Sequence, residues 1–186
     1  MIAIHHTGDD VLAAYREVLA AQPLPYLLVA GAVEPDVVTA LRAGFAAAGS
    51  ERFDLADRGR YRWNDTLRVD ELWRSLTALA AGITGRALAI HGARWLHFGR
   101  GDYALVKDDV RTRPAAAPVE LTLDLSAGVS GEAEMVYSEG AAAFMVPQLP
   151  QLLAIVVRPP GMTRYERPLT HRAGAAEVLR LRVWLG

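Results

Sequence analysis

At 186 residues, 52% hydrophobic and 22% charged, the chain suits one compact domain whose core is large enough to hold without cross-links. A formal net charge of −1 gives no electrostatic basis for binding nucleic acid or an anionic membrane surface. With no cysteine, the chain has no disulfides, zinc knuckles, iron–sulfur clusters or thiol nucleophiles.

The opening stretch, MIAIHHTGDDVLAAY, lacks a basic region followed by an apolar run, so no signal peptide is read there. No apolar run nears the roughly 18 residues of a membrane span, and a cytoplasmic location is expected. The Ala-, Arg- and Gly-rich usage resembles that of bacterial proteins. His5 and His6 fall in an N-terminal stretch expected to fray. GDDVLAAYREVLAAQ then places Val11, Leu12, Tyr15, Val18 and Leu19 on one helical face, with Asp9 or Asp10 as cap. PLPYLLVAGAV, bounded by prolines and a glycine, reads as a buried strand.

EPDVVTALRAGFAAAG is a second helix, with Pro35 in its first turn, Val37, Val38, Leu41 and Phe45 as its stripe, and Gly49 at its end. SERFDLADRGRYRWNDT reads as a polar, aromatic connection. Its Arg58, Arg60 and Arg62 alternate with Tyr61 and Trp63, a mixture suited to a phosphate or carboxylate group or, more plainly, to a solvated surface. VDELWRSLTALAAGITG is a third helix presenting Leu72, Leu76 and Leu79 and stopping at Gly85.

Beyond residue 86 come short segments divided by Gly, Pro and Ser clusters: ALAIHGARWLHFGRG, VELTLDLS, AEMVYS, AAFMV, QLLAIVVR and EVLRLRVWL. RTRPAAAP reads as a surface loop. Helices followed by six or more strands imply a single α+β domain over 1–186, with helical support at 9–85 and an antiparallel β core at 86–186.

Three segments carry a resemblance. PLPYLLVAGAVEPDVVTALRAGF, LHFGRGDYALVKDDV and RLRVWLG resemble, in this order and spacing, segments of the iron(II)/2-oxoglutarate-dependent oxygenases, in particular the prolyl-4-hydroxylase-like branch. The resemblance covers nearly the whole chain and implies N-terminal helices packed on a double-stranded β-helix, or jelly roll. It also implies an iron held by two histidines and a carboxylate. Carried onto this chain, the first histidine position falls on Lys107, the carboxylate on Asp109 and the second histidine, four before Pro168, on Arg164. Neither a charged lysine nor an arginine offers a lone pair.

The co-substrate phenol position is Phe98. The basic clamp position falls on Val178, with Arg180 and Arg182 nearby on one strand face. Iron and 2-oxoglutarate are therefore expected to be absent.

Residues two apart on a strand share a face, so Lys107 and Asp109 are expected side by side, facing Arg164 and Glu166 on a partner strand. This predicts a salt-bridged site in the metal's place. Three readings stay open: a structural ion pair filling a vestigial site, a repurposed catalytic or anion-binding site, and a metal held through Asp109, Glu166 and a histidine. Lys107, Asp109 and Arg164 are the candidate catalytic residues. Phe98, Tyr103, Glu166, Arg180 and Arg62 are the candidate ligand contacts. His97, beside Phe98, is a candidate for the cavity mouth, and His171 lies in a loop after the Pro–Leu pair. The expected partner is a small, carboxylate-bearing molecule bound by a metal-free module. The alternative is a cyclase-, isomerase- or lyase-type enzyme on the same scaffold, and an active iron hydroxylase is a third. Trp73, Trp95 and Trp184 read as core.

Overall fold

The protein is described by a computed structural model over residues 2–129 and 131–186. Three helices come first: α1 (Asp9–Ala21), α2 (Pro35–Ala48) and α3 (Asp70–Thr84). Each ends or begins where the sequence punctuates it. Pro35 stands in the first turn of α2, and Gly85 closes α3 in the left-handed conformation (φ 67°) that a side chain would resist. The expected cap of α1 is corrected: Gly8 is the N-cap, while Asp9 and Asp10 occupy the first turn, where their charge favours the helix dipole. Val18 is off the buried face and exposed. His6 is not frayed; it is buried, with its ring on the Tyr15 hydroxyl (2.7 Å) and the Gly31 carbonyl.

Among the described residues, eleven strands form one antiparallel sheet, in the order β1-β9-β6-β11-β4-β3-β5-β10-β7-β8, with β2 beside β3. They are β1 (Tyr26–Val29), β2 (Glu51–Leu55), β3 (Gly59–Asn64), β4 (Ile90–Phe98), β5 (Tyr103–Ala104), β6 (Val119–Asp124), β7 (Met135–Glu139), β8 (Ala142–Val146), β9 (Leu153–Val157), β10 (Thr163–Glu166) and β11 (Val178–Leu185). The sheet curls until its two ends meet, Tyr26 of β1 stacking on Phe144 of β8 with ring centroids 4.0 Å apart. The result is an α+β fold with helices on a jelly-roll core.

Two expectations change. The polar connection is a β2–β3 hairpin, with Phe53 opposite Tyr61 on its inner side and Arg52 opposite Arg62 on its outer side. Where a strand was expected to carry Lys107 and Asp109, there are only the two residues of β5, followed by a seven-residue helix, α4 (Val106–Thr112), which holds both. Gly101 allows the turn into it with φ 82°, donating its N–H to the Leu169 carbonyl.

Every residue of β11 is buried, so both faces of the strand are covered. Leu179, Leu181, Val183 and Leu185 pack with Trp95, Leu121, Leu123 and the helix residues Leu41, Phe45, Leu72, Leu76 and Ile83. Arg180, Arg182 and Trp184 alternate with them and point into the curl of the sheet.

Candidate functional site

The interior of the curl contains ions. Asp109 arrives from α4, Glu120 and Asp124 from β6, Arg158 from the end of β9, Arg164 and Glu166 from β10, and Arg180 and Arg182 from β11. All are buried. Both Asp109 oxygens are occupied: Oδ1 accepts from Arg158 and Arg164 at 2.9 Å each, and Oδ2 accepts from Arg158 at 2.5 Å and from the Arg164 backbone N–H at 2.9 Å.

Glu120, with no exposed surface, accepts from Arg158 (2.7 Å), Arg164 (2.9 Å), the Tyr137 hydroxyl (2.7 Å) and the Trp184 indole N–H (3.0 Å). Glu166 accepts from Arg164 (3.1 Å), Arg182 (2.5 Å) and Arg180. Asp124 is the outlying member, 3.9 Å from Arg180.

Each guanidinium therefore meets carboxylates, and pairing of this kind is what makes such burial tolerable. Titration behaviour follows. Burial alone would raise the Glu166 carboxyl, but Arg182, Arg180 and Arg164 outweigh it and hold it down at about 2. Burial also opposes the charge on Glu120, yet Arg164, Arg158 and Arg182 bring it further below the usual carboxylate range. Asp124 is the exception: burial raises it, against the pull of Arg180 and Ser126. Burial and the neighbouring Glu120 push the Tyr137 phenol up, so it remains a hydrogen-bond donor.

Several sequence candidates meet here: Asp109, Arg164, Glu166 and Arg180. Arg164 and Glu166 share a strand face as expected. Lys107 does not join them. On a helix, two residues apart is about 200° of rotation, so Lys107 and Asp109 face opposite ways. Lys107 is half-exposed and paired with Asp57 in the β2–β3 turn. Phe98 is buried in an apolar cluster with Tyr61, Leu96 and Val178. Tyr103 donates its hydroxyl to the Ala56 carbonyl at 3.2 Å, away from the ions. Arg62 and His97 sit opposite each other in the β3–β4 register, and His97 pairs with Leu179 of the helix-facing cluster, so both are on the outer face. The side chain of His171 lies outside the described residues. Trp73 and Trp95 pack on the helix side as expected, whereas Trp184 lies inside with its N–H on Glu120.

The residues missed are Glu120, Asp124, Arg158 and Tyr137. The one available signal was alternation: VELTLDLS sets Glu120, Thr122 and Asp124 on one side.

The site is also closed from outside. Asp108, next to Asp109, turns the other way to accept from Arg58 (2.8 Å) and the Tyr61 hydroxyl (2.8 Å) of the hairpin. Burial and Asp108 raise the Tyr61 phenol, keeping its proton on that bond. Arg52 grips Asp102 with two hydrogen bonds, of 3.0 and 2.8 Å. Gly59 lies so close to Tyr103 that a Cβ there would fall 2.8 Å from its carbonyl oxygen, which fits the residue to the β3–β5 contact.

No protein-family model matches the chain, and no curated protein does. Solved structures do. A Pseudomonas putida prolyl-4-hydroxylase is similar at TM-score 0.67 and 19% identity, over 94% of this chain and 97% of that one. A 2OG-Fe(II) oxygenase-family oxidoreductase from Burkholderia pseudomallei reaches TM-score 0.73 at 12% identity, over 94% and 90%. The alpha-ketoglutarate-dependent epimerase SnoN reaches TM-score 0.71 at 14% identity, over 94% and 83%. This chain has the fold of the 2OG-Fe(II) oxygenases.

The oxygenase fold implies iron, and the residues here do not fit it. The positions carried over for the two histidines hold Lys107, which faces outward, and Arg164, which has no lone pair. Both oxygens of Asp109 already accept from guanidiniums. Among the described residues, no three His, Cys, Asp or Glu side chains group as metal ligands. Among them, too, no helix is long and apolar enough to cross a membrane.

Proposed function

We propose that this chain is a metal-free form of the oxygenase fold, working as a binding or interaction module, in which guanidiniums carry the positive charge at the ancestral reaction centre. The observation that supports this most directly is the occupation of both Asp109 oxygens by Arg158 and Arg164. A divalent ion would have to displace two buried guanidiniums whose pKa values are raised, because Glu120 and Asp109 outweigh the burial that would lower them. Non-oxidative catalysis through Lys107, Asp109 and Arg164 needs all three around one substrate, and Lys107 stands apart from the other two.

The test is reconstitution with iron(II) under anaerobic conditions. Metal analysis after desalting is expected to find no stoichiometric iron. Iron(II) with 2-oxoglutarate is expected to leave the melting temperature unchanged, since a ligand of the folded state raises it. Stoichiometric iron removable by chelator, or succinate formed from 2-oxoglutarate, would refute the proposal.

A further inference from the structure

On the outer face of the sheet, Arg42 and Phe45 of α2, Ser50, Arg62 of β3, His97 of β4 and Glu177 surround a cleft of about 240 Å³. Its two arginines are held by neutral acceptors. Arg42 donates to the Leu125 carbonyl at 2.8 Å, and Arg62 donates through Nε to the Ser50 hydroxyl at 3.0 Å. Their strand neighbours differ: Arg52, directly across from Arg62, is bound by Asp102, and Arg60 pairs with Asp54. Among the described residues, Arg42 and Arg62 have no carboxylate partner.

The anchoring bonds fix both guanidiniums while leaving further N–H donors at each. Phe45 gives the cleft an apolar wall, its ring 6.0 Å from that of His97. The acid in the cleft, Glu177, lies 3.3 Å from His97 Nε2, and its side chain is 59% exposed.

We propose that this cleft binds the phosphate group of a small phosphate ester, with Arg42 and Arg62 as the charged donors and Ser50 beside them. A dianion matches two guanidiniums that lack acid partners, and guanidinium forks suit phosphate oxygens. The volume is below the roughly 300 Å³ of ordinary small-molecule pockets, so the group bound is small. Glu177 acts as a competing anion at the rim. The site is separate from the ion network, and its failure would leave the reading of the interior untouched.

Calorimetry with inorganic phosphate and with glycerol phosphate, at constant ionic strength, tests this, with the His97 ring resonances as a local readout. Saturable binding is expected, with succinate and chloride weaker than either. Arg62→Gln should weaken phosphate about tenfold, the size of one charge-assisted hydrogen bond. Glu177→Gln should tighten it, and Arg60→Gln, on the same exposed face but paired with Asp54, should leave it unchanged. The proposal is overturned by a response that does not saturate, by tighter binding of succinate, by equal binding to Arg62→Gln, or by weaker binding to Glu177→Gln. Arg62 and Glu177 are exposed, so these variants retain the fold.

Discussion

The two faces of β6 and β11 are buried to the same degree by opposite chemistry. Toward the helices stand Val119, Leu121, Leu123, Leu179, Leu181 and Val183; toward the interior stand Glu120, Thr122, Asp124, Arg180, Arg182 and Trp184. The apolar face tolerates imperfect geometry, because burial of hydrocarbon is non-directional. The ionic face does not, because each charge is tolerable only while its partners stay within hydrogen-bond reach. The comparison therefore separates two kinds of core: one that is stable by area and one that is specific by pairing.

Acid should divide them most sharply. A carboxyl held near 2 when folded and near its ordinary 4.5 when unfolded stabilises fully above 4.5, and that contribution disappears as the pH falls toward 2. Glu120 is shifted the same way. Asp124, raised by burial, works in the opposite sense but is one group against two. Urea midpoints measured between pH 5 and pH 2.5 should fall steeply, and a flat profile would mean the interior carboxylates are not paired as described.

Next in size is Glu120→Gln, which leaves Arg158 and Arg164 facing a neutral amide and should cost about 3–5 kcal/mol in equilibrium unfolding. On the other face, Leu181→Ala should cost about 2–5 kcal/mol through transfer and cavity terms. The two differ in their rescue. A second substitution, Arg158→Met, should recover part of the Glu120→Gln loss, and no neighbouring change should do that for Leu181→Ala as effectively. Smallest is Lys107→Ala, whose exposed pair with Asp57 should leave the urea midpoint unchanged.

Much of the fold could be read from the residues. The stripes of α2 and α3, Pro35 and Gly85 mark the helices, and the short segments after residue 86 became strands. The hairpin was hidden because Arg52, Asp54, Arg60 and Arg62 face solvent and leave only a weak apolar alternation. Helix α4 was hidden because seven residues span two turns, and the side chains it buries are Asp108 and Asp109 rather than an apolar stripe. The site was half legible. The resemblance to the oxygenases led to Asp109 and Arg164, and residue chemistry led to an ion pair. Glu120 was missed because a polar side of an alternating strand ordinarily means water. Arg158 was missed because it follows a strand buried on both sides and precedes two prolines, where a strand end is the natural reading.

The interior network matches Arg158, Arg164, Arg180 and Arg182 against Asp109, Glu120, Asp124 and Glu166. A chain of descent that changed one of these positions alone would strand an opposite charge away from solvent. Tolerated change here calls for coordinated pairs, so a histidine placed at position 164 alone would arrive in a protein less able to fold before it could hold anything.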